Sequence, residues 1–150
     1  MANRENDIHK VKVNGVELAY RFDGPEGGRV VMMSNSLMSD HSMWDVNVPA
    51  LADRYRVLRY DTRGHGRYSI EMLADDAIGL IDQLGIRRVH FVGLSMGGMI
   101  AQQIGVRYSD RVYSLSLCDT ASEMPPRSMW EERFSIVQSE GIAGLLDATI

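Results

Sequence analysis

The sequence predicts an α/β protein with a mainly parallel sheet that opens on an antiparallel hairpin. Three observations predict it: an Asn-Gly turn between two alternating runs, a regular exchange of short apolar runs and helical segments, and one helix of unmistakable period. Val11–Val13 and Glu17–Phe22 flank Asn14-Gly15, a pair that favours the tight turn of a hairpin. Arg29–Ser34 and Arg56–Tyr60 are short apolar strands, with a short helix expected from Trp44 to Arg54 and Pro49 near its effective start. From Ser69 to Leu84, the residues Ile70, Leu73, Ala74, Ala77, Ile78, Ile81 and Leu84 fall on one face of a helix. Ser69 suits its N-cap and Gly85 its C-terminal stop. A strand over Arg88–Leu94, a helix from Met96 to Tyr108 and a strand over Arg111–Leu117 follow. Pro125-Pro126 opens a further helix through Val137. Gly141 interrupts it, and Ile142, Leu145, Leu146 and Ile150 suggest a second amphipathic stretch.

Bulk properties narrow the function. The 150 residues fit one domain, and the net charge of −4 excludes a strongly basic nucleic-acid or anionic-membrane binder. The single cysteine, Cys118, sits in the apolar run 112–118 and is expected to be a buried strand thiol. No Cys/His cluster has metal-ligand spacing, so no metal site is expected. Met1 to Lys10 lacks an apolar signal core, and no run reaches membrane-spanning length. A cytoplasmic protein is the expectation.

The chemistry centres on Gly93-Leu94-Ser95-Met96-Gly97, a G-x-S-x-G pattern between a strand and a helix. That corner is tight enough to need glycine on both sides. It raises the serine hydroxyl above the sheet, at a helix N-terminus that favours developing negative charge. A plain glycine-rich strand-to-helix turn is the alternative; the added Gly98 favours Ser95 as nucleophile. Ser34-Asn35-Ser36-Leu37-Met38 follows the third strand, where such folds supply one oxyanion N–H, the other coming from the residue after the nucleophile. Leu37 and Met96 are then the backbone donors, Leu37 being otherwise an ordinary loop residue.

Ser34–Leu37, Met43-Trp44-Asp45, Arg59-Tyr60-Asp61-Thr62-Arg63-Gly64-His65-Gly66, Gly93–Met99 and Leu117-Cys118-Asp119-Thr120-Ala121 together resemble the 3-oxoadipate enol-lactonases. These are α/β-hydrolases of bacterial aromatic-compound breakdown. The resemblance runs from about Val13 to Ile150. It implies an α/β-hydrolase fold stopping before its last strands, with residues 1–122 as core and 123–150 as the start of a helical cap. It also implies a serine esterase or lactonase that opens a small enol-lactone without a cofactor. Under that cap, Trp130 and Arg133 face substrate by resemblance; core packing and a solvated salt bridge are the alternatives. No strand is followed by G-x-G-x-x-G or a phosphate-binding loop, which agrees with the absence of a cofactor.

The sequence departs from this family twice. Gly66-Arg67 runs straight into Tyr68-Ser69, where relatives carry a longer Gly/Pro-rich loop. And the four histidines, His9, His41, His65 and His90, all precede Ser95, whereas the family order is Ser, acid, His. A serine without an adjacent base is a weak nucleophile. Asp119, at the end of the next strand, is a candidate acid because some α/β-hydrolases place theirs there. The enol-lactonases place it one strand later, and a loop carboxylate capping the next segment is the alternative. His41 and His65 belong to loops at the Ser95 edge of the sheet, where turn stabilisation is their expected role. Without its last strands the sheet ends on an apolar edge, which predicts a homo-oligomer, a swapped segment or a complementing C-terminal polypeptide. The rival functional reading is a non-catalytic pseudo-enzyme or scaffold that uses this edge.

Overall fold

The computed structural model describes residues 8–64, 68–123, 126–141 and 143–144. His65, Gly66, Arg67, Pro125, Ile142, Leu145, Leu146 and Ile150 lie outside them, and with them the shortened connection and the second amphipathic stretch. Strands β1 (His9–Val13) and β2 (Val16–Asp23) pair antiparallel through Asn14 and Gly15, both at positive φ (46° and 81°). Two successive left-handed residues define the turn that matches strand twist, so the Asn-Gly pair forms the hairpin it predicts.

β2 lies antiparallel against β4 (Arg56–Tyr60), and β4, β3 (Val30–Ser34), β5 (Val89–Leu94) and β6 (Val112–Cys118) run parallel. The strand order is β1-β2-β4-β3-β5-β6. Among the described residues β6 pairs with β5 alone and forms the edge of the sheet.

The predicted helix at 69–84 is α2 (Ile70–Gln83). The Ser69 hydroxyl caps it by accepting from the Met72 N–H, and Gly85 follows at φ 67°. Its apolar face, with that of α3 (Met96–Arg107), covers Met32, Leu58 and Phe91 on one side of the sheet. Each such side chain, fully buried, contributes roughly 1.5–3 kcal/mol. On the other side Val31, Met33 and Val57 pack with Trp44 beneath α1 (Val48–Ala52). The single helix expected from Trp44 to Arg54 is replaced by two separate pieces, a 3-10 turn over His41–Trp44 that ends where the helix was to begin, and α1, which covers only Val48–Ala52. Asp40 starts the first piece by accepting from the Ser42 N–H, and Pro49 sits in the first turn of the second. α4 (Arg127–Glu140) ends at Gly141, φ 72°, and most of its described side chains face solvent.

Cys118 is half-exposed rather than buried. β6 carries its apolar run at an edge, so alternate residues lack a covering neighbour; Tyr113 and Leu117 are 52% and 48% exposed.

Candidate active site

β5 ends at Leu94 and α3 begins at Met96, leaving Ser95 alone at the corner with φ 53° and ψ −112°. A β-carbon is unwelcome at that φ, and such strain persists only where surrounding structure enforces it. The enforcement is visible on both sides. The Ser95 N–H donates to the Cys118 carbonyl at 2.9 Å, and the Thr120 hydroxyl donates to the Ser95 carbonyl at 2.6 Å. A β-carbon on Gly93 would collide with the Gly97 carbonyl, and one on Gly97 with the Ser34 carbonyl. One on Gly98 would meet the Thr120 side chain at 2.6 Å. The glycines of the motif thus let the first turn of α3 sit directly on the ends of β3 and β6.

Ser34 pairs with Gly93 in the parallel register, so the loop after β3 rises beside the corner. Residues 36–39 form a turn in which the Ser39 N–H and hydroxyl both donate to the Ser36 carbonyl, with Met38 at φ 61°. Leu37 is at the centre of that turn. Among the described residues no hydrogen bond uses the N–H of Leu37 or of Met96, the first residue of α3. Free donors at a helix N-terminus and an adjacent turn are the chemistry an oxyanion requires.

Behind this loop lies a buried polar network that pattern reading missed. Ser34 and Asn35 are fully buried, as is Tyr60. The Asn35 amide donates to the Tyr60 carbonyl at 2.9 Å and accepts from the Trp44 indole N–H at 2.8 Å. The Ser34 and Tyr60 hydroxyls share a hydrogen bond of 2.9 Å, and burial drives the Tyr60 pKa well above that of an ordinary phenol. Arg59, 2% exposed, holds Asp23 and Asp45 and donates to the His41 carbonyl at 3.1 Å. Only the position of Asn35 beside the loop hinted at any of this.

The three histidines among the described residues, His41, His90 and His9, are engaged elsewhere. His41 directs Nδ1 to Asp61 at 3.0 Å while its N–H donates to the same oxygen at 2.7 Å, so it ties a loop, as expected. His90 bonds Ser114 at 2.8 Å near the start of β5, about 16 Å from Ser95 at roughly 3.3 Å per residue. His9 lies against the Tyr20 ring in the hairpin. No hydrogen bond among the described residues reaches the Ser95 hydroxyl. Asp119 stands exposed at φ 40° directly after β6, next to the Thr120 that braces Ser95. Arg133 lies 5.6 Å above the Trp130 ring on α4, and the buried Trp130 indole N–H has no hydrogen-bond partner among the described residues. Among the described residues no group of three or more His, Cys, Asp or Glu could hold a metal ion, and no helix is long and apolar enough to cross a membrane.

A mainly parallel sheet with a strained serine between β5 and the following helix, set beside a loop with a free amide, defines a class. Residues 28–148 match the alpha/beta hydrolase family, and the chain belongs to it. It is 35% identical to 3-oxoadipate enol-lactonase 1 of Acinetobacter baylyi over 96% of its own length and 58% of that protein's. To 3-oxoadipate enol-lactonase 2 of the same organism it is 33% identical over 85% of this chain and 50% of the relative. The crystal structure of the enol-lactonase from Burkholderia xenovorans LB400 superimposes with a TM-score of 0.85 at 42% identity, covering 94% of this chain and 58% of that one. The chain therefore spans little more than half the length of the relatives it matches.

Proposed function

We propose that this chain carries the nucleophile portion of a cofactor-independent serine hydrolase acting on a small ester or enol-lactone. The observation that carries the proposal is Ser95 at φ 53° between Gly93 and Gly97, with the Leu37 and Met96 amides free beside it. Enol-lactonase relatives of similar sequence support the substrate class. In this reading the Ser95 oxygen bonds to the lactone carbonyl carbon while its proton passes to a histidine. The Leu37 and Met96 N–H groups hold the resulting oxyanion, a few kcal/mol for each donor. Collapse breaks the ring C–O bond, the histidine returns the proton to the departing oxygen, and water then releases Ser95 by the same steps.

Residues 123–150 begin a cap, from which the unpartnered indole N–H of Trp130 and the guanidinium of Arg133 meet substrate. Asp119 is the acid available on this chain. The histidine is one outside the described residues, on this polypeptide or on a partner docked at the β6 edge.

A fluorophosphonate probe tests the reading directly. Labelling of the parent chain, none of Ser95→Ala, and hydrolysis of an enol-lactone once a relative's C-terminal portion is added would support it. A folded parent with neither labelling nor turnover would favour the scaffold reading instead.

A further inference from the structure

We infer that Asn35 and Trp44 are positioning residues whose buried hydrogen bonds set the direction of the Leu37 N–H. The inference rests on the proposed role of that amide and adds what holds it in place. The loop from Asn35 to Trp44 leaves β3 and returns to α1, and its two ends are joined to each other by the 2.8 Å bond from the Trp44 indole to the Asn35 amide oxygen. The other half of the same amide donates to the Tyr60 carbonyl, at the end of the neighbouring strand. Turning the Asn35 amide over would set its NH2 against the indole N–H and its oxygen against the Tyr60 oxygen. Both bonds would become repulsions at a fully buried side chain, so one orientation is enforced.

Leu37 follows only two residues later, in a turn closed locally by Ser39 on the Ser36 carbonyl and tied to the Met43 sulfur by the Ser36 N–H and the Ser39 hydroxyl. Those bonds run within the loop, one residue short of Trp44, so the direction of the whole turn relative to the sheet is set by Asn35 and Trp44, while the Leu37 and Met38 side chains are 40% and 73% exposed. The far end of the loop has its own tethers, His41 to Asp61 and Arg59 to Asp45. Loss of the Trp44 bond therefore frees the Leu37 turn without unfastening the whole loop. The carbonyls of Ser34 and Asn35 also carry Gly97 against them, so the loop and the serine corner share one frame.

The measurement is the reaction of Ser95 with a fluorophosphonate, resolved into binding (KI) and the first-order step (kinact), on the 150-residue chain with a relative's C-terminal portion supplied as the source of the base. Trp44→Phe keeps the ring in the core and removes only the donor. It is expected to lower kinact about 10- to 100-fold with KI unchanged, since a small misplacement of one oxyanion donor costs that much. The double variant Asn35→Leu/Trp44→Phe removes both partners of the indole bond but leaves the Tyr60 carbonyl without its donor, so it is expected to melt no higher than Trp44→Phe and not to regain kinact. In amide NMR of the phosphonylated protein, the Leu37 proton should lose its downfield shift in Trp44→Phe while the Met96 proton keeps it. A folded Trp44→Phe that reacts at the parent rate overturns the inference, as does a double variant whose rate recovers along with its stability. A parent chain that is not labelled at all overturns the nucleophile reading, and this inference with it.

Discussion

At the scale of single residues, the buried Tyr60 shows what the site asks of its support. Its hydroxyl is out of water and bonded to Ser34, and burial disfavours the phenolate more than that bond helps it. A pKa raised on folding means stability that is complete below the ordinary tyrosine pKa and is lost as pH climbs past it. The melting temperature should therefore fall steeply above about pH 10. Tyr60→Phe should flatten that fall while costing roughly 1 kcal/mol near neutrality for the lost hydrogen bond. An unchanged alkaline slope in Tyr60→Phe would assign the effect to another group.

At the scale of elements, α2 is attached to the rest of the fold by more than its apolar face. Asp76 is 2% exposed, an unexpected place for a carboxylate, and Arg63 grips both its oxygens at 2.5 and 2.7 Å. Asn14, in the hairpin turn, donates to it at 3.1 Å. One carboxylate thus joins β1–β2, the segment after β4, and α2. Asp76→Ala leaves Arg63 facing a buried gap, and denaturant unfolding should show a loss of about 3 kcal/mol. A loss below 1 kcal/mol would mean that water reaches the pair. The helix itself was legible, because its period and its caps lie within a few residues of one another. The shortening of the Trp44–Arg54 helix was not, because Trp44 ends a turn that depends on Asp40 capping it while Asp61, just past β4, binds its backbone.

At the scale of the whole molecule, association is expected at the β6 edge. It is a strand without a charged residue, with Tyr113 and Leu117 about half exposed. An uncharged open edge is a template for further pairing. Sedimentation velocity of the 150-residue chain should show concentration-dependent association at micromolar levels, and Leu117→Lys should reduce it. A stable monomer in both would show that the edge is already protected. The same exposure explains Cys118: its apolar run predicts burial, but burial needs a neighbour on each side of the strand.

The sequence by itself determined the local events: the Asn14-Gly15 hairpin, the faces and caps of α2, and the strand-serine-helix corner at Ser95. Each depends on residues within one turn or one strand of each other, so composition and spacing carry it. Only the tertiary structure decided which distant polar groups meet. Asn35 meets Tyr60, and Ser95 meets Cys118 and Thr120, because parallel pairing aligns strand ends far apart in sequence; Asp76 meets Arg63 and Asn14 because α2 packs across the sheet. A hydrogen bond is specified by tenths of an ångström in three dimensions, and a one-dimensional pattern contains no such coordinate.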